Sequence, residues 1–213
     1  MSIDKLNRRE FLRKTLGVLP AASLGLLMPN TLVPATEKHA DDRIILGPRK
    51  VEVSRLAIGT GTSGFAGHSE QTRELGISGL ANLLRRGYER GITFWDSADS
   101  YGSHPHLNEA LDHVPREQVQ ILTKTHASTE REMKQDLDRF RKELGTDYID
   151  ILLLHLMTDR DWNEKKRGAM DVIARAREDG IVRTHGVSCH SLAALKTAAE
   201  EEWVEVDLAR INP

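Results

Sequence analysis

The chain has 213 residues, a formal net charge of -2 and an apolar fraction of 39%, which fits a single soluble domain. A charge this close to neutral gives no argument for nucleic-acid binding. Cys189 is the only cysteine, so an intramolecular disulfide framework is excluded, and a lone thiol is more simply interpreted as a packing residue than as a reactive group.

Residues 1–40 are predicted to form a signal segment and linker outside the fold. Residues 7–14, NRREFLRK, are basic and contain an arginine pair, and residues 15–28 are uncharged and rich in Leu, Ala and Gly. This pattern is typical of a twin-arginine signal peptide, with cleavage expected after Ala35 or Ala40. The uncharged run is shorter than the about 20 apolar residues that a membrane span takes. The alternatives are an uncleaved membrane anchor and a cytosolic amphipathic N-terminus. We therefore expect export to the periplasm or another extracytoplasmic compartment, with membrane contact only through an uncleaved segment.

From Asp41 onward, strand and helix patterns alternate. Residues 43–46 and 50–54 are short β-type runs around Gly47-Pro48, which predicts a hairpin. An apolar strand at 56–58 then leads into the glycine-rich loop 59–64. Further strands are predicted at 92–96, 119–124, 148–155, 183–188 and 206–211, and helices at 70–90, 107–112, 129–144, 161–178 and 191–202.

The continuous apolar character of these strands indicates a parallel sheet that is buried on both faces. Six alternations of strand and helix leave a doubly wound sheet or a (β/α)8 barrel. A doubly wound sheet favours a G-x-G-x-x-G fingerprint at the start of its first helix, and the loop 59–64 is interpreted as not supplying one there. Polar candidates instead follow several consecutive strands, as in barrel enzymes. We therefore predict an α/β fold of the (β/α)8 TIM-barrel type for residues 41–213.

The predicted barrel is incomplete. A complete barrel has eight units and typically about 250 residues, whereas about six β/α units are recognisable in this chain. We therefore expect a C-terminally truncated barrel that lacks the last two units. Its first and sixth strands would then be unpaired apolar edges.

Candidates for chemistry are four polar residues, each at or just beyond the end of a predicted strand: Asp96, Tyr101, Lys124 and His155. A free tyrosine has a pKa of about 10 and is a poor acid, but a nearby ammonium favours its phenolate. We therefore expect Lys124 to lower the pKa of Tyr101, with Asp96 holding Lys124 charged. Singly, the aspartate could be a turn cap and the tyrosine and histidine packing residues, but a lysine is almost never buried unpaired.

These residues and their order resemble the aldo-keto reductase family from about residue 43 to the end of the chain. The motifs that carry the resemblance are DSADSYG at 96–102, LTKT around Lys124, LLLH ending at His155 and Gly186-Val187-Ser188. The resemblance implies reversible reduction of an aldehyde or ketone to an alcohol with hydride from NAD(P)H. It also implies that Tyr101 is the general acid and that His155 orients the carbonyl oxygen by a hydrogen bond.

The same resemblance implies a set of cofactor contacts. Gly61 and Thr62 would pass under the nicotinamide, Asp96 would lie beside it, and Ser188 would hold its carboxamide. Cys189 stands where the family usually has Asn, and a thiol is a weak hydrogen-bonding group. Either His190 or water therefore replaces the amide, or the nicotinamide is held less tightly. NADPH is the expected cofactor on family grounds, with NADH as the alternative, and no metal is expected.

Two alternative functions stay open on the sequence. One is a nucleotide-sensing binding module of the same family, in which turnover is secondary to control of a partner. The other is a non-catalytic barrel fragment that binds no cofactor. In the favoured interpretation the ligand is a small carbonyl compound, whose identity the sequence does not specify.

Overall fold

The computed structural model describes residues 37–210. The predicted signal segment therefore lies outside the described residues, apart from its last four positions. None of the helices within 37–210 is both long and apolar enough to cross a membrane.

A β-hairpin opens the described chain. Strand β1, Arg43–Leu46, pairs antiparallel with β2, Val51–Ser54, so that Ile44 lies opposite Val53. The turn between the two strands passes through Gly47 at a φ of 61°, a backbone conformation that glycine adopts without steric cost. The predicted hairpin is confirmed.

Six parallel strands form the sheet that follows. They are β3 Ala57–Gly59, β4 Phe94–Asp96, β5 Gln120–Thr125, β6 Ile149–Met157, β7 Val182–Cys189 and β8 Val206–Ala209. Their order in the sheet is their order in the chain, and every neighbouring pair is parallel. A doubly wound sheet reverses its strand order at a switch point, and none of the described strands does so. The sheet curls as an incomplete (β/α)8 barrel, which confirms the predicted fold class.

The glycine-rich loop does not lead directly into a helix. Gly59, Gly61 and Gly64 do stand at G-x-G-x-x-G spacing, but the next helix begins only at Glu70, after the cap residue Ser69. The spacing is therefore present but does not stand at the start of a helix, as predicted. The strand order decides the matter.

Helices connect the strands. They are α1 Glu70–Tyr88, α2 His104–Leu111, α3 Glu130–Leu144, α4 Trp162–Lys165, α5 Arg167–Glu178 and α6 Leu192–Glu200. The helix predicted over 161–178 is thus two helices, and α1 contains a break at Gly76, whose φ is 61° and ψ is -176°. Helix α3 matches its pattern most closely, because a capping box on Thr129 starts it and a left-handed Gly145 ends it.

Apolar side chains pack on both faces of the sheet. The inner cluster lies between the sheet and the hairpin and comprises Val51, Val53, Leu122, Ile151 and Leu153, with Ile44, Leu46, Phe94 and Val206 against it. The outer cluster lies between the sheet and the helices and includes Trp95, Ile121, Leu152, Leu154 and Val187. In β4, in β5 and in residues 151–154 of β6, neighbouring apolar residues belong to opposite clusters, as a pleated strand requires.

Candidate active site

The alternation of the strands brings three of the four candidates to one place. Asp96, Lys124 and His155 each follow a member of the inner cluster by two positions, after Phe94, Leu122 and Leu153. Two positions along a strand return a side chain to the same face. The three polar side chains therefore form a layer above the inner cluster, at the C-terminal ends of β4, β5 and β6.

Lys124 is the most deeply buried of the four candidates, with 1% of its side chain exposed. Its ammonium donates hydrogen bonds to Oδ1 of Asp96 and, over 2.9 Å, to the carbonyl oxygen of Ser97. Burial lowers the pKa of Lys124, whereas the carboxylate of Asp96 raises it. A buried ammonium needs such partners, and the predicted pairing of Lys124 with Asp96 is present.

Tyr101 ends a short 3-10 turn, Asp99–Tyr101, directly after β4. The Lys124 Nζ atom lies 5.0 Å from the centroid of its ring, and the His155 ring lies edge-on to it with 5.6 Å between centroids. All four candidates therefore lie together at this end of the sheet.

The expected direction of the tyrosine pKa was wrong. Burial, and secondarily the charge of Asp96, raise the pKa of Tyr101 to about 12. The ammonium of Lys124 is hydrogen-bonded to Asp96 and Ser97, so its field at the phenol is offset by the carboxylate. Desolvation of the phenolate then outweighs what remains, and Tyr101 is a protonated phenol at neutral pH.

His155 is also neutral at this pH. Only 5% of the residue is exposed, and burial, followed by the charges of Lys124, His126 and His190, lowers its pKa to about 3. The hydroxyl of Ser100 lies 3.5 Å from its Nδ1. A neutral imidazole keeps one N–H donor.

Sequence reasoning missed His126, which packs on His155. Their ring centroids are 4.7 Å apart and the planes are tilted by 30°, while the ring of His190 lies 6.3 Å from that of His155. His126 follows Lys124 by two positions, so the alternation along β5 was the signal that could have found it. No group of three His, Cys, Asp or Glu residues between 37 and 210 is placed to hold a metal ion.

The glycine-rich loop packs on Tyr101. A Cβ atom added to Gly61 would lie 2.2 Å from Cε2 of the Tyr101 ring, closer than any real contact, so this position has no room for a side chain. Thr62 is exposed, and Gln71 of α1 binds it twice, accepting from its backbone N–H over 2.9 Å and donating to its hydroxyl over 2.6 Å. The loop is thus fixed between α1 and the tyrosine.

The two remaining cofactor candidates lie on opposite faces of β7. Ser188 is 1% exposed and shares the inward-facing positions of its strand, and its hydroxyl makes no hydrogen bond to any residue within 37–210. Cys189 belongs to the outer cluster as a free, buried thiol. Burial and the charge of Asp207 raise its pKa to about 12. The structure therefore does not bring the Cys189 side chain to the other candidates.

A cavity of about 660 Å³ lies at the other end of the strands. The hairpin turn around Arg49 and the first residues of β5 and β7, Gln120 and Val182, line it. None of the four candidates lies there, so we do not associate this cavity with their chemistry.

A family model and curated relatives point to the same protein family. The model of the aldo/keto reductase family matches residues 57–212. The chain is 28% identical to a probable aldo-keto reductase 1 of Glycine max over 182 residues, which cover 74% of the chain and 50% of that protein. It is 30% identical to the methylglyoxal reductase YeaE of Escherichia coli over 142 residues, covering 64% of the chain and 46% of the relative. The chain thus spans about half the length of these curated relatives.

Solved structures show the same fold. The thermostable aldo-keto reductase Tm1743, crystallised with the inhibitor epalrestat, superposes with a TM-score of 0.65 at 23% identity, covering 80% of this chain and 63% of that one. The aldo-keto reductase AKR2E4 of Bombyx mori in complex with NADP superposes with a TM-score of 0.64 at 22% identity, covering 80% and 58%.

Proposed function

The chain belongs to the aldo/keto reductase family, and on that premise we propose that it reduces an aldehyde or ketone to an alcohol with hydride from NADPH. One observation carries the proposal. A protonated phenol, a neutral imidazole and a buried ammonium–carboxylate pair lie together at the C-terminal ends of β4, β5 and β6. Together they offer a proton donor, a hydrogen-bond donor for a carbonyl oxygen and a positive charge near the phenol.

Tyr101 is the proton donor of the proposed reaction. As the carbonyl carbon accepts hydride, the Tyr101 phenol would give its proton to the carbonyl oxygen, which leaves an alcohol, a phenolate and the oxidised cofactor. Lys124, 5.0 Å from the ring centroid, stabilises that phenolate by its positive charge. General acid catalysis of this kind contributes roughly 10²–10⁴-fold.

His155 is the hydrogen-bond donor to the carbonyl oxygen. In the tautomer whose Nδ1 accepts from the Ser100 hydroxyl, Nε2 carries the hydrogen and can donate it to the substrate. A donor aimed at an oxygen that gains charge stabilises the transition state more than the ground state. The His126 ring, tilted by 30° to that of His155, packs against it from one side.

The residues present fit a nicotinamide. The hydroxyl of Ser188, which has no hydrogen-bond partner within residues 37–210, lies on the inner face of β7 and can bond the carboxamide, while Gly61 and Thr62 border the same end of the sheet. The chemistry that the nicotinamide supplies when bound is the hydride itself. The Cys189 side chain has no part in this contact, and the choice of NADPH over NADH rests on the family.

The test is a comparison of Tyr101→Phe with the wild-type protein. We expect kcat for carbonyl reduction to fall at least about 10²-fold, because the proton donor is lost, while NADPH binding followed by nicotinamide fluorescence stays unchanged. Tyr88→Phe is the matched control, since Tyr88 bonds Gln118 on the outer surface.

Full activity in Tyr101→Phe contradicts the assignment of the acid. NADPH binding without turnover in the wild-type protein favours the nucleotide-binding module. Absence of both favours the non-catalytic fragment.

A further inference from the structure

Behind the candidate site, three carboxylates converge on one arginine of α3. The guanidinium of Arg139 donates to Asp99 over 2.6 Å, to Asp136 over 2.7 Å and to Glu143 over 3.2 Å. We call these four residues the Arg139 cluster. The hydrogen bond to Asp99 is the first of the influences that raise the pKa of Arg139 above its usual value, so the cluster keeps its central positive charge.

One side of the Arg139 cluster reaches the turn that carries Tyr101. Asp99 is the first residue of that turn, two positions before the tyrosine. Arg139 is the residue of α3 that bonds it. The turn is only three residues long, so a displacement of Asp99 is transmitted directly to Tyr101.

The other side reaches both neighbours of Lys124 in β5. Asp136 accepts a hydrogen bond of 2.5 Å from the hydroxyl of Thr125. Glu143 bonds His104 over 2.7 Å, and the second ring nitrogen of His104 bonds the hydroxyl of Thr123 over 2.7 Å.

Thr123 and Thr125 face the helices, and Lys124 between them faces inward. The two threonines therefore fix the strand without engaging its lysine.

We propose that Arg139 is a positioning residue that sets the placement of Tyr101 relative to Lys124 by holding the Asp99–Tyr101 turn against α3. Without the guanidinium, Asp99 would face the carboxylates of Asp136 and Glu143 uncompensated. The three carboxylates all lie within 3.2 Å of the guanidinium, so without it their like charges would repel one another. The turn has no other ion pair to α3 among the described residues. The kinetic part of this inference rests on the proposed reductase function.

The kinetic test compares Arg139→Met, Arg139→Lys and Arg141→Met in the full chain. Arg141 lies on the same helix, and its one ion pair to a described residue is with the exposed Asp138, so it controls for the loss of a half-buried arginine from α3. We expect kcat to fall roughly 10- to 100-fold in Arg139→Met, a range typical of a displaced catalytic group. KM for the carbonyl compound should stay within about threefold. Arg139→Lys should recover part of kcat, and Arg141→Met should match the wild type.

A spectroscopic test does not need activity. The chain has three tyrosines, so protein labelled with 3-fluorotyrosine gives three fluorine resonances, and Tyr101→Phe identifies that of Tyr101. We expect Arg139→Met to shift or split this resonance alone, and Asp99→Asn, which keeps the other pairs of Arg139, to do the same. Absence of wild-type activity would count against the proposed function, yet this measurement would still decide the role of Arg139.

Two results overturn the inference. One is an unchanged Tyr101 resonance in a folded Arg139→Met protein. The other is a disturbance of all three tyrosines, or an equal effect of Arg141→Met, since either would mean that α3 is merely destabilised.

Discussion

Tyr101 is a neutral phenol beside an ammonium whose charge is largely balanced. The Lys124–Asp96 pair presents both signs to the ring, and burial penalises the phenolate further, so the pKa of Tyr101 lies at about 12. In the proposed reduction this favours the proton-donating form throughout the neutral range. The raised pKa also means that the Lys124 ammonium only partly offsets the cost of forming the phenolate, because a charge that stabilises the phenolate lowers the pKa of the phenol.

His155 makes the stability of the fold depend on pH. Histidine in an unfolded chain takes up a proton near pH 6.5, whereas the buried His155 has a pKa of about 3. Between these values the unfolded state binds more protons, so the free energy of unfolding is fully retained above pH 6.5 and decreases as the pH falls.

We therefore expect the free energy of unfolding of the wild-type protein to decrease more strongly between pH 7 and pH 4 than that of His155→Asn. The difference should be about 3 kcal/mol, because each pH unit of differential proton uptake contributes about 1.4 kcal/mol. Urea unfolding at the two pH values measures it. His113→Asn, at an exposed histidine of the surface, should keep the wild-type dependence, and equal slopes in all three proteins would contradict the role of His155.

At the scale of elements, the loop between β3 and α1 is shaped to receive Tyr101. A side chain at Gly61 would overlap the tyrosine ring, whereas a Cβ atom at Gly59, the last residue of β3, would meet no atom within 4 Å. The loop therefore offers a matched pair of substitutions.

Gly61→Ala should displace the Tyr101 ring and lower kcat at least about tenfold, since small displacements of a reacting group are costly. Gly59→Ala should leave kcat near the wild-type value. Steady-state kinetics of both variants, with thermal unfolding to confirm that each is folded, measures the effect. If the two variants lose activity equally, the contact between Gly61 and Tyr101 is not what positions the ring.

The sequence predicted the types of the helices and strands more reliably than their breaks and buried faces. Helix α3 was predictable because Met133, Leu137, Phe140 and Leu144 recur at helical spacing and are all buried. In α1 the same reasoning was less exact, since Leu75 and Leu83 are 44% and 43% exposed. The helix breaks at Gly76, one residue after Leu75, and a pattern of apolar residues does not show such a break.

For the whole molecule, we propose that residues 1–40 direct export by the twin-arginine route and that residues 41–213 form the barrel domain. The basic segment with its arginine pair and the uncharged run after it support the proposal. Replacing Arg8 and Arg9 by lysine should abolish export, because this route recognises the pair itself. Cell fractionation of a host that expresses both forms measures the outcome, and unchanged export would contradict the route.

The residue order by itself determined which end of the sheet carries the candidate chemistry. The C-terminal ends of parallel strands all lie at the same end of the sheet. The alternation of side chains along each strand places Asp96, Lys124 and His155 on the same face, so three residues distant in the chain lie close together. These are consequences of strand geometry, which a local pattern encodes.

Only the tertiary structure decided how those groups are charged and what holds them. The raised pKa of Tyr101, the packing of His126 on His155 and the outward position of Cys189 depend on burial and on distances between separate elements. So does the connection from Arg139 to the turn of Tyr101. Desolvation and Coulomb interactions act through space, so they are defined only once the strands and helices have packed.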